Sequence, residues 1–157
     1  MAKNILFSGS IRNAILSAAV GLSKNSVNVN SSGVAYLELS KTKPTYNSSG
    51  EITNITKPTD TNYERKLIGE STASYSTLFN APVAGVIKNK EEIHFNTASE
   101  NWDGEWKYWA IYTSKTGGNP IIAGEFETAV TVSTNNIVCI KKNQMTLSMM
   151  PDTSQSV

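Results

Sequence analysis

The sequence contains one cysteine and one histidine, and both shortages restrict its chemistry. A single thiol, Cys139, excludes an intrachain disulfide and a thiolate zinc cluster built within one chain. A single imidazole, His94, means that a Ser-His-Asp triad or a histidine-ligated metal site would have to use it, with no second imidazole to help. Charge is also scarce. Asp, Glu, Lys and Arg make up 17% of the residues, 14 basic against 13 acidic, for a net charge of +1. That balance gives no electrostatic case for nucleic acid or an anionic membrane as partner. No apolar run is long enough to span a bilayer. Near the start, Ser8, Ser10, Arg12 and Asn13 interrupt the apolar residues, so no secretory leader is expected.

Ser, Thr and Asn fill the deficit. A helical bundle would be richer in Ala, Glu, Lys and Leu, so this mixture points to an all-β protein with many turns. With 157 residues and 39% hydrophobic content, one domain covering the whole chain can bury a real core. The expected plan is an N-terminal helix at 8–20, a β domain at 33–150 and a mobile tail at 151–157.

Ile11, Ala14, Ile15, Ala18 and Ala19 recur at helical spacing, with Ser8 or Ser10 as cap and Gly21 as stop. A polar stretch at 23–33 reads as a loop, and 34–39 as a strand. Residues 41–61 are polar and punctuated by Pro44, Asn47, Gly50, Asn54, Pro58 and Asp60. A loop that long is unusual unless it binds something or gains order on assembly, and Ile52 and Ile55 imply that part of it docks down. Short strands follow at 63–68, 74–79, 85–87 and 91–95. Then Tyr108, Ala110 and Tyr112 alternate with Trp109, Ile111 and Thr113 up to a Gly117-Gly118-Asn119-Pro120 turn, beyond which lie Ile121, Ile122, Ala123 and Phe126. Alternation around a Gly/Asn turn reads as a β-hairpin. Strands at 127–133, 137–140 and 145–149 complete the series. About seven to nine short strands without a βαβ rhythm predict an antiparallel sandwich or small barrel.

Few residues offer chemistry. His94 alternates with Ile93 and Phe95 and is expected to project from a sheet face. Cys139, in the run Ile137-Val138-Cys139-Ile140, is expected to be a buried structural thiol. Glu100, Asp103 and Glu105 cluster near Trp102 and Trp106. Acids beside indoles can mark a sugar site, but this spacing is also ordinary for a polar loop. Trp109 reads as core. Trp102 and Trp106 lie beside a Gly104 turn that could leave one of them partly exposed; a buried anchor within the domain is the favoured reading, and an interface hot spot the other. The Gly-Gly-Asn turn lacks the Gly-Lys-Ser/Thr ending of a phosphate loop. Lys88-Asn89-Lys90 and Lys141-Lys142 read as solvated turn ends or as charges that blunt sheet edges. No catalytic residue, metal ligand or cofactor site is assigned.

Several features in sequence order resemble a family of small virion proteins of tailed bacteriophages, usually described as tail fibre or minor structural proteins. These are the helix Ile11-Arg12-Asn13-Ala14-Ile15-Leu16, the strand Tyr36-Leu37-Glu38-Leu39 and the Pro44 loop. Next come Tyr63-Glu64-Arg65, the pattern N-x-x-x-I-x-F-x-x-A from Asn89 to Ala98, and Trp102. The hairpin from Ile111 to Asn119, Gly124 and the final Met145-Thr146-Leu147-Ser148 complete the match. Members commonly have Trp-Gly where Trp102-Asp103-Gly104 stands here. The resemblance implies a non-enzymatic structural role in the virion after synthesis in the host cytoplasm, as a fibre-like or capsid-decorating component. The implied partners are copies of itself and other capsid, neck or tail proteins. A trimer or higher symmetric assembly is expected, with Ile11, Ile15, Ala18, Pro44, Ile52, Trp102 and Trp106 as interface candidates. The rival reading is a carbohydrate-binding or host-adhesion module, with Trp102, Trp106 and Tyr108 on an exposed face.

Overall fold

The computed structural model describes residues 5–20, 33–70 and 78–148. The expected loop at 23–33, the Gly21 stop, most of the strand at 74–79 and the tail fall largely or wholly outside those residues. In chain order the elements are β1 (Leu6–Phe7), α1 (Gly9–Ala19), β2 (Val34–Ser40), β3 (Thr45–Tyr46), β4 (Ile52–Thr53) and β5 (Lys66–Glu70). They continue with β6 (Val86–Lys88), β7 (Ile93–Thr97), β8 (Trp102–Tyr112), β9 (Ile122–Val132), β10 (Ile137–Ile140) and β11 (Thr146–Ser148).

The frame is a five-stranded antiparallel sheet in the order β1-β9-β8-β2-β5. Its two ends, β1 and β5, remain unjoined, so the arrangement is sandwich-like and not a closed barrel. Three two-stranded ladders, β7–β10, β6–β11 and β3–β4, complete it. The strand period of two sorts side chains between the faces. Leu37 faces Ile111 and Leu39 faces Trp109 across β2–β8. These residues join Ile93, Phe95, Val138, Ile140 and Met145 in the main core. The intervening residues Ala110, Tyr112 and Ala123 form a second cluster with Ile52 on the other face.

The hairpin forms around the predicted turn, with Ile111 opposite Ile122. Gly117 and Gly118 have φ of +65° and +71°, backbone that side-chain-bearing residues adopt only with strain. Beyond it the strands are longer than the sequence reading. The expected strands at 121–126 and 127–133 are one strand, because no turn residue divides them. Trp102 and Trp106 belong to β8 itself, where Gly104, at φ +81°, sits in a register shift and not in a turn.

Candidate assembly surface

The helix spans 9–19, close to prediction, and Ile11 is buried. Ser8 stands at the N-cap without a side-chain cap; its hydroxyl meets the Ser10 hydroxyl at 2.9 Å. Ser8 serves as a pin instead. It is buried, its N–H donates to the Ile121 carbonyl at 2.9 Å, and its carbonyl accepts from Arg12 N–H at 3.1 Å. Arg12 lies 4.6 Å from the Tyr46 ring centroid and donates from Nη2 to the Gly50 carbonyl at 2.9 Å. Tyr46 in turn caps the β1 edge: its hydroxyl accepts from Phe7 N–H at 3.1 Å and donates to the Phe7 carbonyl at 3.0 Å. The first helical turn is therefore fastened to the β3–β4 hairpin. Ile15 and Ala18 are half-buried, whereas Leu16 and Val20, four residues apart and so on one side of the helix, are 64% and 69% exposed.

Residues 41–61 fold onto the second face of the sheet. Ile52 and Pro44 are buried. Ser40 Oγ accepts from Thr56 N–H at 2.9 Å, and Asn54 Nδ2 donates to the Lys43 carbonyl at 2.7 Å. At the end of the segment Asp60 is buried among donors: Asn62 N–H, Ser99 N–H and Trp102 Nε1–H, each at 2.8 Å, and the Ser99 hydroxyl. Burial by itself would raise this carboxyl, but the hydrogen bonds prevail and hold it well below the usual carboxylate range.

Trp102, Trp106 and Trp109 are all buried, in keeping with the favoured reading of anchors within the domain, and the alternative of a partly exposed indole does not hold. Trp102 and Trp106 meet edge-on at 5.4 Å, and Trp102 meets Tyr63 edge-on at 5.5 Å. No indole face is free to stack on a sugar. Glu100, Asp103 and Glu105 point to solvent, and Asp103 pairs with Lys41 at 3.3 Å.

The Tyr-x-Arg element splits between the interior and the hairpin. The Tyr63 hydroxyl accepts from Leu39 N–H at 2.7 Å, while its ring stacks on Phe95. Arg65 donates from Nε to Glu38 at 3.0 Å and from Nη1 to the carbonyls of Ser114 at 3.1 Å and Gly117 at 2.6 Å. Its guanidinium carbon lies 3.3 Å from the Tyr112 ring centroid. Burial, with Glu38 close by, pushes the Tyr112 hydroxyl above its ordinary range.

Asn89 corrects the reading of 88–90 as a solvated turn. It is fully buried, donating to the carbonyls of Glu91 at 2.8 Å and Lys141 at 2.9 Å and accepting from Met145 N–H at 2.9 Å. Sequence reasoning missed it because its partners Lys141 and Met145 are remote in the chain. Ile93, Phe95 and Ala98, the rest of that pattern, are buried too. His94 is exposed, as its alternation predicts. Cys139 is half-buried, and burial together with Glu92 pushes its thiol up, away from nucleophilic chemistry.

Open antiparallel sheets whose recurring motif residues are packing and turn residues define a β-structural protein. The family model described as Podophage GP4 fiber I protein gp80 matches residues 7–148, and the chain belongs to that family. No curated protein matches it.

Proposed function

We propose that this fibre-family chain is a non-enzymatic structural component of the phage particle that works through protein–protein assembly. The observation that carries the reading is the use of the motif residues. Asn89, Ile93, Phe95, Ala98, Trp102, Ile111 and Met145 are buried in the chain's own interior, and Arg65 clamps its own hairpin. These side chains shape the molecule and are spoken for before any ligand arrives. Assembly contacts then fall to the surface they support. The outward side of α1, with Leu16 and Val20 beside Ile15 and Ala18, is the contact we assign to another copy of the chain or to a neighbouring virion protein. Segment 41–61 braces the helix from below through Tyr46 and Gly50. Ile11, Pro44, Ile52, Trp102 and Trp106 contribute from inside, by fixing the shape that is presented.

The test is Leu16→Glu with Val20→Glu, which leaves Ser8, Ile11 and Arg12 in place. The variant is expected to stay folded and soluble but to be lost from purified particles and from any self-associated species in sedimentation. Full occupancy in particles would remove α1 as the contact. Deletion of residues 1–19 is a blunter version, since it also strips β1 and the Ser8 pin from the sheet.

A further inference from the structure

One histidine and one cysteine, 45 residues apart in sequence, build no familiar metal cluster by spacing. The fold nevertheless brings both together with a carboxylate. His94 and Cys139 are cross-strand partners in the β7–β10 ladder, next to a register shift between Ile137 and Cys139. Glu92 lies two residues before His94 and projects to the same side. His94 Nε2 is 3.1 Å from Glu92 Oε2 and 3.9 Å from Cys139 Sγ. The three candidate ligand atoms all lie within 4.8 Å of one another. One imidazole nitrogen, one carboxylate oxygen and one sulfur thus converge on a single point at the surface.

We propose that Glu92, His94 and Cys139 form a zinc-class metal site that clips β7 to β10. Zinc bonds of about 2.0–2.3 Å in a tetrahedron place neighbouring ligand atoms about 3.3–3.6 Å apart, so the present separations need only small side-chain adjustments. The donor set favours zinc over calcium or magnesium, which take oxygen ligands. On binding, the Cys139 S–H bond breaks, its proton passes to buffer, and the sulfur electron pair bonds the metal. The fourth position faces outward and takes water in the isolated chain. The clip closes a loop of 45 residues between His94 and Cys139 and reinforces a ladder of only two strands.

The alternative is a plain Glu92–His94 ion pair with a bystander thiol. Titration of the reduced, metal-free full chain with Co²⁺, followed by displacement with Zn²⁺, separates the two. A clip gives a sulfur-to-cobalt charge-transfer band in the near ultraviolet, saturating at one ion per chain and abolished by zinc. Cys139→Ser removes the band. His94→Ala and Glu92→Gln each weaken binding by about tenfold or more, at least the loss seen when a supporting residue outside the ligand shell is removed. Zinc at about 100 times its Kd raises the thermal midpoint by about 5–10 °C in the unaltered chain and not in the ligand variants. His94 and Glu92 are exposed, so their variants carry the test even if Cys139→Ser folds poorly. Absence of the band at saturating Co²⁺, or a band whose affinity is unchanged in His94→Ala, overturns the proposal.

Discussion

Replacing Gly124 with alanine tests how tightly the two strands at the centre of the sheet are built around one indole. Gly124 is the cross-strand partner of Trp109. A Cβ at Gly124 would stand 2.4 Å from Trp109 Cζ2, 2.8 Å from Cε2 and 3.0 Å from Cη2. Carbon atoms pack at about 3.5–4.0 Å, so the ring would have to retreat by about 1 Å. It has nowhere to go, since Trp109 is 1% exposed and Leu39 stands opposite it in β2. Gly124 is not among the residues with positive φ, so alanine meets no backbone strain and the effect on the folded state is steric. Overpacking of this kind costs about 1–3 kcal/mol, while lower entropy of the unfolded chain returns about 0.5–1 kcal/mol. With three ring atoms at 3.0 Å or closer, the steric cost belongs at the upper end of that range, so a net loss of about 2 kcal/mol is expected, or a thermal midpoint lower by about 4–8 °C for a chain of this size. Denaturant unfolding of the single and double variants supplies the check. Trp109→Phe creates a cavity alone but makes room for the new methyl, so the two losses must fall short of additivity by about 1 kcal/mol or more. A Gly124→Ala protein as stable as its parent, or losses that simply add, would refute the reasoning.

Asp60→Asn turns one amide N–H₂ toward donors and is expected to lose about 2–3 kcal/mol at neutral pH. Because the folded carboxyl is depressed, its contribution is complete above the unfolded pKa of about 3.9 and is withdrawn as pH falls below that value. The gap between parent and variant in urea midpoints should therefore shrink from pH 7 to pH 3, and a constant gap would contradict this account. Arg65→Met leaves Glu38 buried without its cation and is expected to cost about 3–5 kcal/mol, part of which Glu38→Gln restores in the double variant. Calorimetry showing the pair to be additive would count against the clamp. Trp102→Phe and Trp106→Phe should differ by about 1 kcal/mol or more in denaturant unfolding, with Trp102→Phe the worse. It strips Asp60 of a donor, whereas the Trp106 N–H is buried with no partner among the described residues.

What could be read from the sequence was whatever depended on local chemistry. The helix at 9–19 followed from apolar spacing, and the hairpin from alternation and a Gly-Gly-Asn turn. The inward set Ile93 and Phe95 followed from the strand period. The misreadings share a cause, which is dependence on remote partners. Gly104 looked like a turn because the register shift between Trp102 and Trp106 breaks alternation, and pairing with β9 alone reveals that the strand continues. The buried role of Asn89 rests on carbonyls and amides supplied from residues 141 and 145. The two-residue strands β1, β3 and β4 were missed because their order comes from Tyr46, Arg12 and Ser8 and not from strand propensity. The Glu92–His94–Cys139 cluster escaped notice for the same reason, since Cys139 is brought to His94 only by cross-strand pairing.

The two faces of the main sheet meet different demands, and the difference bears on how this fibre-family chain holds its shape. The face bearing Leu37, Leu39, Trp109 and Ile111 is packed with large apolar groups, whose attraction is strong but non-directional. Among the described residues the other face has the smaller cluster of Ala110, Tyr112, Ala123 and Ile52, with Leu6 and Ile55 packed against it. Its geometry is fixed by directional contacts instead: Arg65 on Glu38 and two hairpin carbonyls, Tyr46 on the β1 edge, and Ser8 on Ile121. Hydrogen bonds tolerate little displacement, so they set the angle at which α1 leaves the sheet more sharply than a smooth apolar contact would. A helix that contributes little to the main core, yet is aimed by a cation over an aromatic ring and by a buried serine, has the fixed orientation that the proposed assembly contact requires. On the proposed reading, stability and presentation are separable. Changes in the aromatic layer should lower the unfolding midpoint without moving α1, and changes at Arg12 or Tyr46 should alter assembly with little loss of midpoint.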